Sequence, residues 1–197
     1  VTDANSINAA AIKAGANIST LNVTSLTSGT RDTVTVDGGN ANVILNGQAG
    51  GADKYSVTIA KDKTLTANAM NTSGDELTVN ASNNFTLAAG AAIATATINN
   101  TGSAAITVTA TGTADIATKL NLSGNAVTLK GDANAFAGTT AIATGLGVEV
   151  TSTATKSTIE LSSATTPLAV FLNKAQVSEL LVSADVTKTV NDEITVN

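Results

Sequence analysis

The chain is a succession of short segments in which apolar and polar residues alternate, a pattern that predicts half-buried β-strands. Two series of such segments share a period of about 21 residues along the whole sequence. The first series is anchored by Leu21, Val43, Leu65, Phe85, Ile106, Val127, Val148, Leu168 and Val190. The second series is anchored by Val34, Val57, Leu77, Ile98, Leu120, Ile142, Ile159 and Leu180. Two strand series with one common period predict a repeat architecture.

A unit of about 21 residues cannot bury its own apolar face, so neighbouring units must cover one another. We therefore predict an all-β fold, a right-handed parallel β-helix (β-solenoid), because a left-handed hexapeptide helix would favour coil lengths in multiples of six. About nine coils at roughly 4.8 Å per layer would form a rod on the order of 40 Å long. The single proline, Pro167, agrees with central strands that use every backbone N–H.

Residues 1–197 are predicted to form a single β-solenoid domain, with 1–17 as a helical cap or connection and 18–197 as coils. No shift in composition marks a second domain. The sequence starts at Val1 without Met and shows no signal peptide, so we interpret it as a fragment of a larger chain.

Three segments depart from the strand pattern. Ser6 as an N-cap and Gly15 as a stop predict a short helix over residues 5–16. Residues 174–182 fit either a helix or another coil, and the coil keeps the period. Residues 138–147 are rich in Gly and Thr and predict a looser coil or a loop.

Composition favours a narrow interior. Hydrophobic residues make up 43% of the chain, but aromatic residues make up only 2%, and Trp is absent. Val, Leu, Ile and Ala can fill thin stacked layers, whereas they are too small for the thick core of a large globule. No apolar run reaches 18 residues, which predicts no transmembrane segment.

Charge and chemistry exclude several functional classes. The formal net charge of −5 argues against nucleic acid as a partner, since that needs a basic surface. The absence of His and Cys excludes catalytic triads, imidazole bases, disulfides and zinc sites. One Arg, one Tyr and no Trp are too few for a groove that cleaves acidic polysaccharides. We expect no enzymatic activity.

Three aspartates precede strands of the second series in Gly-bearing turns. Asp32 lies in GTRDTVTV, Asp53 in GGADKYSV and Asp75 in SGDELTV, each two residues before an apolar residue. Their spacing would stack the carboxylates about 4.8 Å apart in successive coils. We call this set the Asp column.

Two interpretations of the Asp column remain open. Like charges at that distance repel unless a cation lies between them, and oxygen ligands suit Ca²⁺, so the column is a candidate calcium site. Asp37, Glu76 and Asn46 lie close enough in sequence to contribute. In the alternative, each Asp only bonds the backbone of its own turn, which is common for this residue. Asn-rich turns such as Asn99–Asn100 are expected to satisfy backbone groups in the same way.

The Gly-x-Asp-x-apolar fragments, such as Gly51, Asp53 and Tyr55, resemble degraded forms of the calcium-binding nonapeptide GGxGxDxUx of proteins exported by type I secretion. The Thr-, Ala-, Asn- and Gly-rich composition without Cys resembles that of surface-layer (S-layer) proteins of Gram-negative bacteria in this RTX-related group. The compositional likeness covers the whole chain, and the motif likeness covers residues 29–77. No complete nonapeptide occurs, so a regular calcium β-roll is not implied.

The resemblance implies a structural component of a bacterial cell-surface coat. Such a protein would be extracellular, would self-associate into a lattice with the help of Ca²⁺, and would contact cell-surface polysaccharide. The alternative is an adhesin or an autotransporter passenger stalk that binds host cells or glycans. Both share the predicted fold.

Outward threonines suggest ice binding as a further hypothesis. The period predicts one column of Thr66, Thr86, Thr107 and Thr128. An ice-binding solenoid needs a second Thr column beside the first, and the neighbouring positions include Asn84, Ala105 and Ala126. The broken second column disfavours this hypothesis.

Overall fold

The computed structural model describes residues 2–3, 11–25, 33–48, 50–70, 73–91, 93–112, 117–132, 148–152, 157–162, 169–172, 179–182 and 193–196. These residues form strands, turns and bends, with no helix among them. None of them therefore belongs to a helix long and apolar enough to cross a membrane.

The strands belong to two sheets and alternate between them along the chain. Sheet A contains β1 (Thr2–Asp3), β3 (Thr20–Ser25), β5 (Asn42–Asn46), β7 (Thr64–Asn68), β9 (Phe85–Ala89), β11 (Ile106–Gly112), β13 (Val127–Asp132), β15 (Ser157–Ser162) and β17 (Glu179–Val182). Sheet B contains β2 (Ala11–Lys13), β4 (Val34–Asp37), β6 (Lys54–Ile59), β8 (Glu76–Ala81), β10 (Ile93–Asn100), β12 (Ala117–Gly124), β14 (Val148–Ser152), β16 (Ala169–Leu172) and β18 (Glu193–Val196).

Each strand pairs in parallel with the strands of the same sheet one coil before and one coil after it. Leu21 of β3 pairs with Val43 of β5, and Val43 pairs with Leu65 of β7, so partners are 22 residues apart. The fold is a β-solenoid with coils of about 22 residues, as predicted. Its right-handedness stays a prediction.

The core lies between the two sheets and is one residue deep on each side. Alternate residues point inward in β6 and β8, and in β10 the same alternation begins at Ala96, after Ala94 and Thr95 have separated it from the buried Ile93. Leu45, Leu65 and Leu87 from sheet A face Val57 and Val79 from sheet B, and all five side chains are fully buried. Aliphatic side chains of this size suffice because the sheets are close, which explains why so few aromatic residues are needed.

The predicted anchors whose side chains the structure describes point inward, but their predicted register is often wrong by two residues. Leu65 pairs with Leu87 rather than with Phe85, and Phe85 pairs with Val108 rather than with Ile106. In the second series, Val57 pairs with Val79 instead of Leu77. Because side chains alternate with a period of two, a shift of two residues leaves the same face inward. The alternation of apolar and polar residues therefore identifies the buried face of each strand but does not determine the pairing register between coils.

The two anchor series also exchange sheets after β13. Val148, assigned to the first series, lies in sheet B, whereas Ile159 and Leu180 of the second series lie in sheet A. Leu129 pairs with Ile159, 30 residues later, so this coil is longer than its neighbours and a constant period does not hold across it. The added length falls between β13 and β14. Residues 138–147 and the anchors Ile142, Leu168 and Val190 lie outside the described residues.

The predicted N-terminal helix over residues 5–16 is wrong for its second half. Residues 11–13 form β2, which pairs with β4, and the N–H of Ala14 donates to the carbonyl of Asp37. Ala14 is buried and Ile12 packs on the core, so tertiary pairing outweighs the local helix signal. Residues 4–10 lie outside the described residues.

At the other end of the chain, Glu179–Val182 is a strand paired with β15. This pairing agrees with the coil interpretation of residues 174–182 for its described part.

Candidate functional site

The Asp column lies where the chain enters sheet B. Asp53 immediately precedes β6 and Asp75 immediately precedes β8. Lys54 pairs with Glu76 and Tyr55 pairs with Leu77, so the two aspartates occupy equivalent positions in successive coils, as the spacing predicted. Both side chains are fully buried on the inward side of the strand pattern. Asp32 lies outside the described residues.

The Asp53 carboxylate accepts hydrogen bonds from donors in its own turn and in the preceding coil. The backbone N–H of Gln48 donates to Oδ2 over 2.7 Å, and the Ser25 hydroxyl donates to Oδ1 over 2.8 Å. A buried carboxylate is costly unless its oxygens are bonded, and these donors offset that cost. Asp53 thereby closes its own turn and ties it to the coil before it.

The Asp75 carboxylate continues the chain of bonds into the next coil. Its Oδ1 accepts the backbone N–H of Asp53 over 2.7 Å, while the carbonyl of Asp53 accepts the N–H of Glu76 over 2.9 Å. Two bonds in opposite directions therefore link the coils at this point. Both aspartates have interactions beyond these.

This geometry fits the backbone-bonding interpretation of the Asp column. Asp53 bonds a backbone N–H of its own turn, as that interpretation expects, while the described bond of Asp75 reaches the backbone of the preceding coil. Within the described part of the chain, no group of three or more Asp, Glu, His or Cys side chains is placed to hold a metal ion. Calcium binding by Asp32, Asp53 and Asp75 stays a prediction.

Asp37, Glu76 and Asn46, which the sequence suggested as additional ligands, lie elsewhere. Glu76 points outward from sheet B and bonds the Lys54 ammonium over 3.0 Å. Asn46 points outward from sheet A and donates to the Thr24 hydroxyl. The alternation of strand residues explains the separation, since neighbours in sequence project to opposite faces.

Asp37 also lies outward, at the end of β4. Its carboxylate accepts the N–H of Gly39 over 2.9 Å and lies 3.4 Å from the Lys13 ammonium. The hydrogen bond from Gly39 lowers the pKa of Asp37 most, and Lys13 lowers it further against the opposing effect of burial. This carboxylate organises a turn.

Ser25 is the participant that sequence reasoning missed. It ends β3, two residues after the buried Val23, and is itself buried. The alternation in TLNVTS already places Ser25 inward. A polar residue at an inward position indicates a buried partner.

Side-chain ladders also connect the coils on both outward faces. On sheet A, Asn68 donates to Asn46, and Asn46 donates to Thr24. On sheet B, the ladder crosses four strands through Ser56, Asn80, Asn99 and Ser123. Because each amide both donates and accepts, the same contact can be repeated in every coil.

Asn100 satisfies backbone groups, as predicted, whereas Asn99 bonds the side chains of Asn80 and Ser123. Asn100 is buried, its amide donates to the carbonyls of Ala104 and Ala126, and its Oδ1 accepts the N–H of Gly102. Every part of this carboxamide is therefore used within the fold.

The predicted Thr column forms only in part: Thr107 pairs with Thr128 as predicted, but Thr66 and Thr86 lie in other columns. Thr66 pairs with Ala88, whereas Thr86 pairs with Thr64 and Thr109. In the adopted register one outward column, near the start of strands β3 to β9, is formed by Thr20, Asn42, Thr64, Thr86 and Thr109, and Lys130 of β13 continues it. The adjacent column still contains Ile44 and Ala88, so two regular Thr columns are not formed side by side.

The outward residues of β3, β5, β7, β9 and β11 form a surface that we call the sheet A face. Its positions are occupied by Thr, Asn, Ala and Ile, without a charged residue. Sheet B differs, because Lys13, Asp37, Lys54 and Glu76 all point outward from it. Farther along sheet A, Lys130 of β13 pairs with Thr109, so the neutral sheet A face ends at β11, and the two outer faces differ in charge only over these coils.

Comparison of the chain with protein-family models, with curated proteins and with solved structures found no match. The resemblance to surface-layer proteins stays a prediction from the sequence.

Proposed function

We propose that this chain is a structural segment of a bacterial cell-surface coat, an S-layer, that assembles from copies of itself outside the cell. The single observation behind the proposal is the continuous parallel pairing of coils into a β-solenoid. Such a fold offers long regular faces that repeat every coil, and repetition is what a lattice contact requires. The role is mechanical, and no catalytic step is part of it.

Two further features support this function. Side-chain ladders on both faces and the bonds of Asp53 and Asp75 tie each coil to the next, which stiffens the rod along its axis. The exposed side chains of sheet A are short and neutral, so little side-chain entropy is lost when a flat surface covers them. A stalk that only spaces an adhesive tip from the cell would not need such a face.

The proposal is tested by following assembly of the purified chain over a range of concentrations, with and without Ca²⁺. We expect ordered sheets in electron micrographs, with lattice reflections that distinguish them from amorphous aggregates. A soluble monomer that attaches to host cells or glycans would favour an adhesin stalk instead. Binding to purified cell-surface polysaccharide tests the anchoring partner separately.

Calcium is part of the proposal as an aid to assembly, and the Asp column is where it would act. Thermal unfolding is compared in Ca²⁺ and in chelator at equal ionic strength, for the wild type and for Asp53→Asn/Asp75→Asn. A cation bound only by the folded state stabilises it by about 2.7 kcal/mol at 100 times its Kd. Calcium should raise the Tm of the wild type and leave that of the double variant unchanged. If the wild-type unfolding curves in Ca²⁺ and in chelator coincide, the Asp column forms hydrogen bonds only and binds no Ca²⁺.

A further inference from the structure

We propose that the sheet A face is the surface through which two copies of this chain associate laterally, with sheet A of one copy against sheet A of the other. The proposal rests on the proposed self-assembly and names the surface and the partner for it.

Charge singles out this face. The chain carries a formal net charge of −5, so two copies repel each other on average. The sheet A face has no charged residue across β3, β5, β7, β9 and β11, so copies that meet there bring no like charges together and desolvate no ion. Sheet B would bury ions such as those of Lys54 and Glu76.

The side chains of the sheet A face are complementary to themselves. Hydroxyl and carboxamide groups each donate and accept, so a column of Thr and Asn can bond to an identical column related by a twofold axis. One outward column of this face offers Thr20, Asn42, Thr64, Thr86 and Thr109. Ile44 and Ala88 in the next column add apolar contact. The face is therefore able to pair with itself.

The size of the face fits a weak, reversible contact. Five strands about 4.8 Å apart, each with roughly 17 Å of outward residues, cover about 24 Å by 17 Å, or roughly 400 Å² per copy. The two copies together would bury about 800 Å², which is less than the roughly 1,200–2,000 Å² of stable specific interfaces, so a single pair of copies is not expected to be stable by itself. Weak contacts that repeat along a rod are suited to a lattice, because misplaced copies can dissociate.

The test introduces charge on this face. Thr86 is half-buried in the middle of β9, and Thr78 is half-buried in the middle of β8 on sheet B, which makes it a matched control. Thr86→Lys and Thr86→Glu should each raise the concentration needed for association by on the order of tenfold or more, since like charges meet across the twofold axis. An equal mixture of the two should restore association. Thr78→Lys and Thr78→Glu should associate as the wild type does.

Sedimentation velocity measures association, and circular dichroism confirms that each variant is folded. If the Thr86 variants prevent folding, Thr109→Lys and Thr109→Glu replace them, because Thr109 is exposed in the same column.

Three outcomes would overturn the proposal. Unchanged association of the Thr86 variants would place the contact on another surface, while self-assembly itself would stand. Failure of the mixture to restore association would show that this face meets a different surface of the partner. A wild-type chain that stays monomeric at all concentrations, yet binds ice or a neutral glycan through this face, would contradict both the proposal and the coat function.

Discussion

At the scale of single residues, burial of Asp53 and Asp75 is the least expected feature of the interior. Charged side chains are rarely enclosed without partners, and here the partners are supplied by turn N–H groups and by Ser25. The bonds run between coils as well as within them. Asp53 therefore contributes to its own turn and to stacking, and Asp75 contributes to stacking.

Replacing Asp53 should show this contribution. Asp53→Ala leaves the Ser25 hydroxyl and the Gln48 N–H without their acceptor, which should lower the free energy of unfolding by about 1–3 kcal/mol for each stranded donor. Glu76→Ala, which removes an exposed ion pair with Lys54, is the control and should cost less than about 1 kcal/mol. Denaturant titration measures both. Equal losses would mean that burial of Asp53 has no special role.

Asp37 should make stability depend on acid pH. Its pKa in the folded state is lowered from 3.8, so its contribution is present above that value and is lost as the pH falls through the lower folded pKa. At pH 6 the free energy of unfolding of the wild type should exceed that of Asp37→Asn by less than about 1 kcal/mol, because the Asp37 side chain is partly exposed. The two free energies should converge in stronger acid.

Since the hydrogen bond from Gly39 lowers the pKa of Asp37 more than Lys13 does, Lys13→Met should keep most of the pH dependence of stability. Denaturant midpoints from pH 2 to 7 measure these differences. If the stability of Lys13→Met did not depend on pH, Lys13 rather than Gly39 would be the main cause of the lowered pKa of Asp37.

At the scale of elements, turns determine how closely successive coils approach. Gly124 has a φ of +79°, and a Cβ there would meet the carbonyl oxygen of Asn100 in the coil below and would lie 2.9 Å from Oδ1 of Asn99. Gly50 has a similar φ of +86° with nothing within 4 Å. Comparing the two glycines therefore distinguishes the effect of a left-handed backbone conformation, which both have, from the effect of close contact between coils, which only Gly124 has.

Ala substitution should distinguish these two effects. Gly50→Ala should cost about 1–2 kcal/mol from its left-handed backbone alone. Gly124→Ala should lower the free energy of unfolding clearly more, because the added Cβ also clashes with the backbone carbonyl oxygen of Asn100, which is fixed in the strand pairing. Chemical denaturation of the two variants provides the comparison. Equal losses would show that the coils separate without resistance at this turn.

At the scale of the whole molecule, stability should vary along the rod. Each coil contacts only the coils next to it, so a strand with neighbours on both sides is held more firmly than one with a single neighbour. β8 pairs with β6 and β10, whereas in the described part of the chain β2 pairs only with β4. Fraying is therefore expected to begin at the two ends of the described stack, at β2 and equally at β18, which pairs only with β16.

Hydrogen exchange should reveal this gradient. Amides of β8 should exchange at least tenfold more slowly than those of β2, since β2 can open without the rest of the rod. Mass spectrometry of exchanged peptides measures both strands in one experiment, with β6 and β10 as internal references. Uniform protection from β2 to β10 would mean that the solenoid opens as one cooperative unit.

The sequence predicted the stacked coils, the inward positions of most anchors and the alignment of Asp53 with Asp75, because each depends on local alternation and a repeated spacing. It did not predict the pairing of Leu65 with Leu87, the exchange of the two series after β13, or the strand at residues 11–13. Registers that differ by two residues present the same face to the core, so hydrophobic pattern cannot separate them.

What the sequence determined by itself was the repeated unit, since an apolar face that cannot be buried within about 21 residues must be covered by another coil. Only the tertiary structure decided which outward residues form columns and which donors reach each buried carboxylate. Both depend on turn lengths that vary from coil to coil and on how closely the coils approach at turns such as that of Gly124, and neither can be read from the alternation of a single strand.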